Sequence, residues 1–279
     1  MLLKQVEARL ASSADRKLGD SQAPGAPDAK DLISTRDMNR VRLAEIAAVE
    51  RVRVSFRNRV LDRFLNAMRG SDDFRDDPNL EARFRRLPPH LQLDYMLRQI
   101  GEKSWDVRDD MVLRGDPQVM AQFRRRVWPL LLRSCASGDC HGAPKGRGRL
   151  KLFNVSSNNE LGVYTNFLIL DLYSRGGFQM IYRDLPERSL LLEYCLAPGE
   201  SKMPHPGEIP PVFRDLRDPN YLLVRNWIDS LAGPPHPEYG VSYRPPYAPR
   251  KSEAFDPLST PVKKDKPPAA TTRPAGVDG

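Results

Sequence analysis

Long apolar runs are scarce in this sequence. The longest uncharged one, Val127 to Leu132, spans six residues and contains Pro129, far short of the roughly 20 residues a membrane-spanning helix needs. Cysteine is scarce too: three in 279 residues cannot form the disulfide framework of a small secreted scaffold. No leader-like start is visible, since Met1-Leu2-Leu3-Lys4-Gln5-Val6-Glu7 turns charged at once. Taken literally, that start implies a cytoplasmic chain. The sequence also lacks a paired-carboxylate pocket, a Ser/His/Asp set and a glycine-rich phosphate loop. A role other than catalysis is therefore expected.

What is present is proline and charge: 26 prolines, and 44 Lys and Arg against 36 Asp and Glu, a net charge of +8. Residues 1–30 are polar and include Gln22-Ala23-Pro24-Gly25-Ala26-Pro27; a disordered arm is expected there. Residues 233–279 are proline-rich, which predicts a disordered tail. Two blocks lie between.

In the first block, 31–115, Val52, Val54 and Phe56 alternate with polar residues and predict a short strand. Val60, Leu61, Phe64, Leu65 and Met68 recur at helical spacing before Gly70. A second helix is expected from Pro89 to Gly101, with Leu93, Leu97 and Ile100 on one face. Residues 40–69 hold eight arginines (40, 42, 51, 53, 57, 59, 63 and 69) against Glu45, Glu50 and Asp62. Such a stripe can neutralise phosphates, but a solvated, salt-bridged face explains it as well. The acidic run Asp72, Asp73, Asp76 and Asp77 opposes a nucleic acid.

The second block, 116–232, opens with Asp116-Pro117 and closes with Asp218-Pro219. Each reads as an N-cap aspartate before a first-turn proline. Helices are expected after both, the first bending or ending near Trp128-Pro129. A short helix is expected after Pro186, and periodicity leaves Val163–Tyr173 unassigned. His90 and His236 read as surface or loop residues, and Cys195 as a small buried hydrophobe.

The chemistry concentrates in Arg133-Ser134-Cys135-Ala136-Ser137-Gly138-Asp139-Cys140-His141-Gly142. A histidine directly after the second of two nearby cysteines suits haem attachment. Two thiols add to the two vinyl groups, and the next side chain reaches the iron as an imidazole. The usual spacing has two residues between the cysteines; here there are four, and Gly138 favours a bulge in the longer loop. A zinc site or a small disulfide loop, making a stapled interaction module, uses the same residues.

The surroundings bear on that choice. Phe123, Pro129-Leu130-Leu131, the Cys135/Cys140-His141-Gly142 motif and Leu150-Lys151-Leu152 together resemble the haem segment of cytochrome c domains. The likeness is greatest to those of the planctomycete type. Asp184-Leu185-Pro186-Glu187-Arg188-Ser189-Leu190-Leu191-Leu192 and Asp218-Pro219-Asn220-Tyr221…Trp227-Ile228 are similar to later helices of such domains, so the resemblance covers about 116–232. It implies a mainly α fold: a cytochrome c-like haem domain after a helical extension. The first and last helices would cross, so that Phe123 and Val127 meet Trp227 or Ile228. The implied cofactor is haem c, with Cys135 and Cys140 as anchors and His141 as iron ligand. The sixth ligand would come from the loop before the closing helix, where both Met203 and His205 are candidates. Electron transfer or redox sensing with an unidentified protein partner follows, and nucleic acid does not. Thioether attachment belongs outside the cytoplasm, so a periplasmic location is expected, with the true start upstream of Met1.

Overall fold

A computed structural model describes residues 27–101, 104–143, 146, 150–233 and 236–245. The disorder expected over 1–26 and 246–279 lies outside the described residues. The fold is mainly α, and the described residues include four very short strands in two antiparallel pairs. Among the described residues, no helix is long and apolar enough to cross a membrane.

The first block forms a small core. The helices Val60–Met68, Leu80–Arg86 and Pro89–Gln99 place Val60, Phe64, Leu65, Phe84, Leu93 and Met96 inward. Three rings gather there: Phe64 and Phe84 at 5.5 Å, Phe84 and Tyr95 at 5.6 Å, and Phe64 and Tyr95 at 6.1 Å between centroids. The expected strand is β1, Val54–Phe56, which pairs with β2, Met111–Leu113.

The second block builds a larger core, in which Phe123 meets Trp227. Gln118–Gln122 is α-helical and Trp128–Ser134 is α-helical; Phe123–Val127 between them is a π-turn. A wider turn just before Pro129 accommodates a residue with no N–H to donate. Phe123 stacks on Trp227 of the closing helix Pro219–Asp229, with centroids 4.9 Å apart, and meets Phe167 edge-on at 5.5 Å. The segment that periodicity left unassigned is the helix Glu160–Leu172, buried on every side from Gly162 to Asp171. Burial all round erases the polar face on which periodicity depends.

The helix Thr35–Ala44 joins the two cores. Its Met38 and Val41 enter the large core and its Leu43 the small one. Asn39, also on this helix, donates to Met111 O and accepts from Leu113 N, both at 2.9 Å. Otherwise, Ile33 apart, the small core draws on buried residues from 43 to 113 and the large one on buried residues from 119 to 239.

Two expectations are corrected. Asp218 caps its helix through Asn220 N (2.8 Å), but Asp116 does not cap the helix after it. Asp116 is buried in an ion-pair cluster, accepting from Arg42 Nη2 at 2.7 Å and Tyr164 Oη at 2.9 Å, with Arg124 Nε at 2.7 Å. Partners 48 and 74 residues away outcompete local capping. The expected disorder of 233–279 also fails over 236–245, where Tyr239 is buried among buried charges. Residues 29–31 of the expected arm form a short 3-10 turn.

Candidate functional site

The helix Trp128–Ser134 ends where Ser134 Oγ donates back to Leu130 O at 2.9 Å, and the chain then coils tightly through the cysteine segment. His141 N donates to Cys135 O (3.0 Å), Cys140 N to Ser137 O (3.1 Å) and Gly142 N to Ser137 O (3.0 Å). A Cβ at position 142 would lie 2.1 Å from Ala136 O, so only glycine closes this coil. The bulge expected at Gly138 does not require its glycine: a Cβ there would meet nothing within 4 Å. The coil is tied to the following segment by Leu152 N donating to His141 O at 2.9 Å. His141 Nδ1 lies 3.3 Å from Leu150 O, which orients the ring as a backbone carbonyl orients a metal-ligating histidine.

A loop opposite is closed at its base. Leu196 and Phe213 form an isolated parallel bridge, and Val212 N and Phe213 N both donate to Cys195 O, at 2.9 and 2.8 Å. Buried Glu193 pins the loop's rising limb: its Oε2 accepts from Ser201 Oγ (2.8 Å), Lys202 N (2.8 Å) and Met203 N (3.2 Å). Beyond the pin, His205 Nδ1 accepts from Gly207 N at 3.1 Å and lies 2.9 Å from Gly207 O.

Between coil and loop is a cavity of about 370 Å³, within the usual size range for small-molecule sites. Leu131, Leu152, Leu170, Met180, Leu190 and Leu191 supply apolar walls, and Cys135, Cys140, His141 and His205 all line it. The His141 and His205 ring centroids are 6.0 Å apart, and Tyr194 stands edge-on to His205 at 5.4 Å. Met203 packs against the large core and is not among the lining residues. Four of the five residues singled out from sequence therefore converge, and Met203 stands aside.

Cys195, which reads in the sequence as a plain hydrophobe, lines the same cavity. Its thiol interacts with that of Cys135. That interaction, with help from Ser134 Oγ at 3.4 Å, holds the Cys135 pKa below the usual thiol value against the effect of burial. The same interaction and burial push Cys195 well above it. Glu193 was equally invisible in the sequence, because its loop partners are all backbone or hydroxyl groups.

All three thiols are free. Among the described residues, no three His, Cys, Asp or Glu side chains are grouped to hold a metal ion. Much of the arginine stripe is engaged in ion pairs: Arg40 with Asp109 (2.8 Å), Arg42 with Asp116 (2.7 Å), Arg59 with Asp62 (3.2 Å) and Arg63 with Asp110 (2.9 Å). No family model matches the sequence, and neither a curated protein nor a solved structure does.

Proposed function

We propose that the chain is a c-type cytochrome-like electron carrier or redox sensor, with haem held in the cavity between the Cys135–Gly142 coil and the 196–213 loop. The observation that carries this reading is the pair His141 and His205, facing one apolar cavity with ring centroids 6.0 Å apart. A metal held by both imidazoles would set their centroids about 6 Å apart, from two metal–nitrogen bonds of ~2 Å and ~1 Å within each ring. The remaining residues fit the group. Leucines and Met180 form walls for an apolar macrocycle, and Cys135 and Cys140 line the cavity beside His141.

Haem supplies one-electron chemistry when bound. The chain's own part is to hold, orient and insulate. Cys135 and Cys140 would anchor the group through thioethers, and His141, whose Nδ1 lies 3.3 Å from Leu150 O, would hold its metal. His205 is favoured over Met203 as the opposite ligand, because it lines the cavity and Met203 does not. A second imidazole lowers the reduction potential relative to a thioether. Glu193 keeps the limb leading to His205 in place. A periplasmic location belongs to this proposal through the chemistry of thioether attachment.

The test is production of the full chain with haem-attachment machinery, followed by a visible spectrum and a denatured mass. The expected result is one haem retained after denaturation in wild type, and none retained covalently when Cys135 and Cys140 are both replaced by alanine. His205→Ala is expected to change the low-spin spectrum and Met203→Ala to leave it unchanged. A colourless chain that retains no haem, or one carrying stoichiometric zinc, overturns the proposal.

A further inference from the structure

Away from the cavity, a buried charge cluster fastens residues 236–245 to the rest of the molecule. Arg183 donates to Glu45 Oε1 and Asp171 Oδ1, both at 2.8 Å, and to Tyr239 Oη at 2.6 Å. Tyr239 Oη also donates to Glu45. The Glu45 and Asp171 side chains are 0% exposed and Arg183 is 5% exposed. Two carboxylates against one guanidinium leave a negative charge away from water, which is costly unless compensated.

His236 supplies the compensation. Its Nε2 lies 2.7 Å from Asp171 Oδ2 and its Nδ1 2.9 Å from Pro237 O. A carboxylate and a carbonyl only accept hydrogen bonds, so only the doubly protonated ring satisfies both contacts. The other groups near the ring are Arg183, which opposes its charge, and Tyr239, edge-on at 5.6 Å. The strap continues across the junction of the two cores. Pro237 and Glu238 line a cleft with Leu43, Leu93 and Leu97, and Ser242 Oγ donates to Asp37 Oδ2 at 3.1 Å.

We infer that His236 is a proton-operated clasp: as an imidazolium bonded to Asp171 it fastens the 236–245 strap over the junction of the two cores, and on losing its proton it releases the strap. The inference is independent of any haem. Burial disfavours the charged ring, but the hydrogen bond and charge of Asp171 outweigh it and raise the His236 pKa above the usual imidazole value. A raised folded-state pKa means that the clasp's contribution is fully present below the ordinary histidine pKa. It is lost as pH climbs through the raised one.

Hydrogen exchange on the full chain, corrected for intrinsic rates at each pH, tests this. The expected result is protection of 236–245 at pH 6 that is lost by pH 9, with the Val60–Met68 helix protected at both. His236→Gln keeps a hydrogen-bond donor without charge, and is expected to leave the strap unprotected at both values. Nitrogen NMR of His236 gives a second reading on unmodified protein: both ring nitrogens are expected to be protonated at pH 6 and one deprotonated at pH 9. Equal strap protection in wild type at the two pH values, or a single protonated ring nitrogen at pH 6, overturns the inference.

Discussion

The small core around Phe84 and the large core around Trp227 solve the same packing problem with different materials. The small one is assembled from short amphipathic helices, and several of its ion pairs lie on the rim: Arg59–Asp62, Arg75–Asp72 and Arg85–Glu81 are all substantially exposed. The large one takes charge inside. The side chains of Glu45, Asp171, Arg183, Asp116 and Arg42 are buried there or at its edge, and each forms an ion pair with a residue at least 12 positions away. The difference teaches that the first core is specified locally, by spacing of apolar residues. The second depends on polar groups that match only after the chain has closed, which is also how it can leave a lined cavity open.

The largest expected effect comes from emptying the large core. Phe123→Ala removes a ring that touches Trp128, Phe167 and Trp227 and is expected to cost about 3–5 kcal/mol, read from urea denaturation. Phe84→Ala is the matching probe of the small core. Region-resolved hydrogen exchange is expected to show early opening of 60–99 while the Pro219–Asp229 helix stays protected. Simultaneous loss of both would remove the distinction between the cores.

Asn39→Ala attacks the link between them. It strands the buried Met111 carbonyl and Leu113 amide, for an expected loss of about 2–3 kcal/mol. Within the proposed site, Gly142→Ala is expected to cost about 2 kcal/mol and to impair haem retention, because the new Cβ collides with Ala136 O. Gly138→Ala, with nothing near it, is expected to stay within about 0.5 kcal/mol. Equal effects at the two positions would show that the coil is not closed at Gly142.

The smallest effects belong to the rim. Arg59→Ala is expected to change stability by less than about 0.5 kcal/mol. Asp109 is partly buried between Arg36 and Arg40; burial raises its pKa, but the two guanidinium hydrogen bonds outweigh that and lower it. Its stabilisation is therefore present above the ordinary carboxylate pKa and lost as pH falls through the lowered one. In Asp109→Asn, the pH dependence of the urea midpoint over that acid range is expected to be flatter than in wild type.

The small core was legible because Val60, Phe64 and Leu65, and separately Leu93, mark one face of a helix. The coil was legible as chemistry, since Cys135, Cys140 and His141 stand close in sequence, and His205 was one of two candidates in its loop. The Glu160–Leu172 helix was not legible, because complete burial leaves no polar face to set a period. Cys195 and Glu193 were missed for a related reason: neither has a partner nearby in sequence that would signal a role. His236 reads as a loop residue among prolines until Asp171, 65 positions earlier, is brought to it.

Local order and the candidate chemistry were therefore set out by the sequence itself: helix spacing, the Asp218 cap, and two thiols and an imidazole close together in one segment. Tertiary structure alone decided which residues share the cavity, that Asp116 is a buried ion-pair partner rather than a cap, and that residues 236–245 are fastened down. The physical reason is the same in each case. Apolar spacing and capping act within a few residues, whereas a buried charge or thiol takes its character from whatever the folded chain sets within hydrogen-bonding distance.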